Sequence, residues 1–321
     1  MRLAIITAIL VLSKAIGFCQ SVEIIDKDRI CKSKIRTSVL YEYDYKNGKP
    51  ESKGTKARID SFDTKGNKVE QVNFRASGMI HYIVTYKYDV AGNKTEYVKY
   101  SPNDKDLNFR QKIKFDSKGN KLMEFGVNGV DSFKTVFNYN SKIGKLAEVN
   151  YFLRNKLDEK RRFTYNGNTA ELKVFDGNGN VKFVQNNTYS LSGKLIEEAR
   201  VEPDNSISRR VVYTFDKNDN LTSETKYTAG KLAGKITRVY NEKGLLSEVY
   251  QENANSPKQL TNKYAYNDKG WLIEEQTKCE QTKDFSKNTY TYDENGVCKT
   301  IDSYYAEYKH QVLSVFIYQN Y

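Results

Sequence analysis

Tyr86-Lys87-Tyr88-Asp89-Val90-Ala91-Gly92-Asn93-Lys94-Thr95-Glu96-Tyr97-Val98-Lys99-Tyr100 contains the pattern that decides how this chain folds. An aromatic residue is followed by Asp, two variable residues and Gly, with residues of strand character on both sides. In a type I turn the first residue is commonly Asp or Asn, whose side-chain oxygen accepts a nearby backbone N–H. The fourth place favours Gly, which takes positive φ and forms the bulge that re-enters the ladder. The stretch therefore reads as a hairpin. Tyr86–Tyr88 enters, Asp89–Gly92 turns, and Lys94–Tyr100 leaves.

The same aromatic recurs at Phe62, Tyr88, Phe115, Tyr139, Tyr165, Tyr189, Phe215, Tyr240, Tyr266 and Tyr292, at intervals of 24–27 residues. Nine of the ten following residues are Asp or Asn, and the exception is Ser190. Structural turn residues are read at Asp63, Gly66, Asp89, Gly92, Asp116, Gly119, Gly244, Gly270, Asp293 and Gly296. Asp219 takes the glycine place in one unit, Gly144 arrives one residue late, and Tyr165-Asn166-Gly167-Asn168 is shortened. Tyr43-Asp44-Tyr45-Lys46-Asn47-Gly48 reads as a degenerate earlier copy. A second, less regular turn closes each unit, as in Ser101-Pro102-Asn103-Asp104 and Glu202-Pro203-Asp204-Asn205. Self-similarity at a fixed period is the signature of a repeat architecture.

The motif resembles the YD repeat of the Rhs family. The resemblance is carried by Tyr88-Asp89-Val90-Ala91-Gly92-Asn93-Lys94, Phe115-Asp116-Ser117-Lys118-Gly119-Asn120-Lys121-Leu122, Tyr266-Asn267-Asp268-Lys269-Gly270-Trp271-Leu272 and Tyr292-Asp293-Glu294-Asn295-Gly296-Val297. It implies an exported β-sheet protein acting at a cell surface, in some members on carbohydrate. It carries neither the family's core segment nor a toxin domain. A short stretch, Tyr227–Gly234, is also similar to MORN-type repeats.

Strand residues alternate between faces, and neither face is wholly apolar. In Lys94–Tyr100, Thr95, Tyr97 and Lys99 oppose Glu96, Val98 and Tyr100. The fold class expected is therefore all-β: a repeat array of antiparallel hairpins forming a long, twisted, coiled sheet, with closure left open. The expected organisation is a signal peptide over 1–19, an N-terminal cap over 20–40, the array over 41–305 and a C-terminal capping strand over 306–321.

Arg2 followed by the apolar run Leu3–Leu12 reads as an export signal, too short to span a bilayer. Lipidation at Cys19 is the alternative. The formal charge is +12, spread along the chain with Lys and Glu interleaved. An exported protein with such a surface favours an anionic or neutral polysaccharide over nucleic acid. With two histidines, His81 and His310, far apart in the array, and with Asp63, Asp89 and Asp116 needed in turns, the expectation is no enzyme, no catalytic residue, no metal and no cofactor. Cys31, Cys279 and Cys298 form no disulfide framework, and Cys279 and Cys298 are placed too far apart to bond. The candidate ligand platform comprises Tyr213, Phe215, Tyr264, Tyr266, Tyr290 and Tyr292, whose rings could stack on sugars. The alternative is a structural protein of the envelope in which such rings only stack across strands.

Overall fold

A computed structural model describes residues 26–102, 108–129 and 131–321. The signal segment, Cys19, the first residues of the N-terminal cap and Asn103-Asp104 lie outside the described residues. A short helix α1 (Lys27–Lys32) comes first. Twenty-three strands follow. They are β1 Ile35–Lys46, β2 Lys49–Pro50, β3 Thr55–Phe62, β4 Lys68–Phe74, β5 Ile80–Tyr88, β6 Lys94–Tyr100, β7 Phe109–Phe115, β8 Lys121–Asn128, β9 Asp131–Tyr139, β10 Leu146–Leu153, β11 Lys156–Asn166 and β12 Thr169–Asp176. The second half holds β13 Val181–Tyr189, β14 Leu195–Val201, β15 Ile207–Phe215, β16 Leu221–Thr228, β17 Lys231–Tyr240, β18 Leu246–Asn253, β19 Ser256–Tyr266, β20 Leu272–Lys278, β21 Phe285–Tyr292, β22 Cys298–Tyr305 and β23 His310–Asn320.

The motif turns behave as their chemistry dictates. Gly92 N–H donates to Asp89 O at 3.0 Å, and Asp89 N–H donates to Asn93 O at 3.0 Å. A register shift marks the bulge where nine of the ten anchors meet the next strand; Tyr165, in the shortened unit, pairs without one. The residue after the glycine adds a contact that the motif alone does not announce. Asn67, Asn93, Asn120 and Asn220 each donate from the side-chain amide to the second carboxylate oxygen of the turn Asp, at 2.8–3.0 Å. Asp176 and Asn180 repeat this clasp in a turn at the opposite end of the wall, one that the anchor spacing does not pick out.

These clasps hold the carboxyls of Asp89, Asp116, Asp176 and Asp216 below the usual carboxylate range, the Asn side-chain bond being the largest cause and the Asn backbone N–H the next. A depressed pKa contributes stability that is present above the unfolded value of about 4 and is lost as pH falls through the folded values. Urea midpoints should therefore drop as pH falls below about 4, and D89N/D116N/D176N/D216N should flatten that drop. An unchanged acid limb in the quadruple variant would refute the assignment.

The long coiled strip is corrected by the pairing of the ends. β1 pairs antiparallel with β3 on one side and with β23 on the other, over Ile35–Asp44 against Val312–Asn320. With β2 only a hairpin flap on β1, the ring is a closed barrel of 22 strands. The segment set aside as a C-terminal cap thus supplies a wall strand, β23, and the last residues of the N-terminal cap, Ile35–Leu40, begin another, β1. Tyr318 lies 26 residues past Tyr292 and acts as an eleventh anchor. Its unit is split: β23 supplies the entering strand and β1 the leaving strand. Tyr321 N–H donates to Lys34 O at 3.0 Å. The proposed early copy at Tyr43–Gly48 falls at the opposite end, in the β1–β2 flap.

Seven of the eleven anchors also staple their hairpin to the one before. The hydroxyls of Tyr88, Tyr139, Tyr165, Tyr240, Tyr266 and Tyr292 donate to the backbone carbonyls of Lys68, Lys121, Leu146, Leu221, Leu246 and Leu272 at 2.6–3.0 Å. Tyr318 donates to Cys298 O in the same way. Each carbonyl belongs to the second residue after the turn's glycine position, so a single geometry repeats around the ring.

Packing runs between hydrogen-bonded neighbours and not across the ring. About eight strands is the size whose interior side chains can fill, so a ring of 22 strands encloses space. The face carrying the anchors is the more buried one, with Val149, Val174 and Val211 at 0–1% exposure. It is also polar. Asp60 is 1% exposed and lies 2.9 Å from both Arg58 and Lys68, and Glu159 lies 2.7 Å from both Arg161 and Lys182. The opposite face carries ion pairs along the strands: Glu96 with Lys87 (3.1 Å) and Arg110 (3.2 Å), Glu148 with Arg162 (3.0 Å), Glu197 with Arg210 (2.7 Å) and Glu274 with Lys287 (2.7 Å). The described cysteines are free, with Cys279 in the β20–β21 turn and Cys298 at the other end of the wall.

Candidate functional site

The motif turns, helix α1 and the last residues share one mouth of the barrel. Helix α1 covers one side of it. Ile30 is 1% exposed and packs with Ile35, Phe62 and Val297. Arg29 donates to Gly296 O at 2.6 Å and sits 5.3 Å from the centre of the Trp271 ring. Asp26 caps the helix, accepting from Asp28 N–H at 2.8 Å. The glycine of the β3–β4 turn is required here: a Cβ on Gly66 would lie 2.4 Å from Lys27 O.

Among the described residues the other side has no such cover. There a hollow of about 870 Å³ opens along β7–β13 and their motif turns. Four successive anchors line it, Phe115, Tyr139, Tyr165 and Tyr189, together with Phe137, Leu146 and Leu191. A cavity bounded by seven neighbouring strands lies on the concave side of the wall, which places the anchor face inward. Tyr139 and Tyr165 are fixed by their hydroxyl staples. Burial raises the pKa of all three tyrosines, and Tyr165, also near Tyr189, is pushed up to about 12. They remain neutral hydroxyls at physiological pH.

Three lysines stand about these rings. Lys121 Nζ lies 5.6 Å from the Phe137 ring centre and 3.1 Å from Glu124. Lys194, at the edge, lies 4.7 Å from the Phe215 ring centre and 2.5 Å from Asp219. Lys145 lies 4.8 Å from the Tyr165 ring centre. Asn120, Asn168, Thr169 and Ser190 supply the polar part of the lining.

The six rings of the candidate platform lie elsewhere, on β15, β19 and β21. Tyr213 and Tyr290 are 9% and 5% exposed, and Phe215, Tyr264, Tyr266 and Tyr292 pack against their clusters. Tyr290 donates to Glu275 at 3.1 Å, while Tyr266 and Tyr292 serve as staples. None of the six lines the hollow. The turn residues all sit at the mouth. His81 and His310 lie towards the opposite end, and His310 faces Asp44 at 3.3 Å. Phe115, Tyr139, Tyr165 and Tyr189 are legible in the sequence as anchors but not as a site. Their motif is the same as that of the covered anchors; only the position of α1 separates the two sets.

No family model and no curated protein matches the chain. Among solved structures, the chain is similar to the TcdB2-TccC3-Cdc42 crystal structure, at 14% identity and a TM-score of 0.34, over 79% of this chain and 14% of that one. It is similar to the Photorhabdus luminescens Tc holotoxin pore at 11% identity and a TM-score of 0.33, over 87% of this chain and 18% of that one. A porin-like protein from Bacteroides uniformis aligns at 11% identity and a TM-score of 0.33, over 89% of this chain and 97% of that one. The chain spans 14–18% of the length of the toxin chains. Likeness at this level says nothing about what the chain does. The pairing and the turns themselves make it an all-β repeat protein.

Proposed function

We propose that this is an exported, non-enzymatic binding barrel that stands in water and takes the end of a carbohydrate chain into the uncovered side of its mouth. The observation that carries this is the hollow lined by four successive anchors. Aromatic faces with amides and lysines at their edge suit a sugar, which offers C–H faces for stacking and hydroxyls for hydrogen bonds.

Among the described residues no helix is long and apolar enough to cross a membrane, which leaves a spanning barrel to be considered. The outer wall speaks against that. A transmembrane barrel presents lipid with an apolar band about 25 Å tall, and a Lys or Arg at its middle costs about 2–4 kcal/mol. Here Glu96, Glu148, Glu197 and Glu274 stand outward at the third place of their strands, and of their basic partners Arg162 and Arg210 lie in the middle third of β11 and β15. Such pairs are at home in water, where each contributes little.

The mature chain should purify without detergent and bind members of a glycan array. Tyr189→Ala, which removes one of the rings that line the hollow, should abolish that binding while circular dichroism shows the barrel still folded. A mature protein that requires detergent would sink the water-standing reading. Glycan binding unaffected by Tyr189→Ala would sink the site.

A further inference from the structure

The β9–β10 turn is one residue longer than its counterparts. Asn140 N–H donates to Lys145 O at 2.8 Å, and Gly144 N–H donates to Asn140 O at 2.8 Å. Lys145 therefore follows the glycine where Asn67, Asn93, Asn120 and Asn220 stand in the clasped turns. An ammonium cannot repeat their clasp, because Asn140 presents no carboxylate. Instead the side chain lies over the Tyr165 ring at the edge of the hollow, 4.8 Å from its centre.

Charge distinguishes Lys145 from its neighbours. Lys121 is neutralised by Glu124 and Lys194 by Asp219. No ion pair within 4.0 Å joins Lys145 to a carboxylate among the described residues. The hollow thus holds one uncompensated positive charge beside aromatic rings. Outside the ring stack the ammonium remains exposed, so it can turn towards an incoming anion at little desolvation cost.

We propose that the hollow selects acidic sugars, and that Lys145 binds the carboxylate of a terminal uronate while the sugar ring stacks on the neighbouring anchors. This deepens the carbohydrate reading and rests on it. The sugar is favoured over an acidic peptide by the row of ring faces, which gives a pyranose a stacking surface on either side of the contact to its carboxylate.

Titration of the mature chain with oligogalacturonate, its methyl ester, a neutral galactan oligomer and poly-aspartate tests this. The free acid should bind about 10-fold tighter than the ester at low salt, the scale of one charge-assisted hydrogen bond. That advantage should shrink in about 0.5 M salt, where screening is strong. K145A should remove it, K145R should keep it, and K145E should reverse it, with the melt unchanged in each variant. Equal binding of acid and ester, or a K145A variant that keeps the preference, would overturn the proposal. If Tyr189→Ala still abolished that equal binding, the carbohydrate site itself would stand. Preferential binding of poly-aspartate would overturn the sugar assignment. Binding of none of the probes would overturn both this proposal and the carbohydrate reading.

Discussion

A chain ending at residue 305 should lose the closed ring and aggregate. Without β23, β1 and β22 both become edges, and long unpaired edges recruit other chains. The truncation removes nine registered pairs along β1 and six along β22. It removes Phe316, 6% exposed against Leu40 and Cys298, and the Tyr318 staple. Loss of one buried Phe contact alone costs about 3–5 kcal/mol, a large share of the roughly 5–15 kcal/mol that holds a domain folded. Size-exclusion chromatography and a thermal melt check this. A monodisperse truncated protein with an unchanged melt would show that the ring is not the stable form. Tyr318→Phe, which removes only the hydroxyl, should cost about 1 kcal/mol and leave the ring closed.

Gly66→Val should be far more damaging than the same change at Gly119 or Gly270. All three glycines have φ near +76° to +80°, so each pays the strain of a β-branched side chain at positive φ. At Gly270 that cost is on the order of 1 kcal/mol or more, with only Leu245 Cδ1 in contact, at 3.7 Å; at Gly119 nothing lies within 4 Å. At Gly66 the new Cβ meets Lys27 O at 2.4 Å and Cys31 at 3.1 Å, both in α1. The helix cannot stay seated. Its release uncovers Ile30, a fully buried aliphatic side chain worth roughly 1.5–3 kcal/mol. Gly66→Val should therefore melt lower than Gly119→Val, and trypsin should cut it quickly at Lys27, Arg29 and Lys32. Similar melts and digestion rates for the two variants would mean that α1 is not held by this turn.

The array was legible because its signals are local. An Asp or Asn at the turn, a glycine at positive φ and an aromatic before them act within six residues, and ten copies in phase leave little choice of unit. The Asn clasp was present in the same letters, since Asn67, Asn93, Asn120 and Asn220 recur in register, yet its partner is visible only once the turn is built. Tyr318 kept the period but not the turn motif: Gln319 stands where the Asp or Asn would, and the strand beside it, β1, comes from the other end of the sequence. That is why the last segment read as a cap and not as half of an eleventh unit.

By itself the sequence determined the repeat, its strand count per unit, the turn chemistry and a wall polar on both faces. Closure was decided by the tertiary structure alone. It depends on the twist summed over all the strands bringing β23 back to β1, a pairing between residues some 280 positions apart, such as Thr37 with Gln319. No local pattern encodes that sum. The site was decided in the same way. Anchors of one chemistry line the whole mouth, and α1, tethered through Arg29 to a turn 267 residues away, covers one side of it and leaves Phe115, Tyr139, Tyr165 and Tyr189 facing the open hollow.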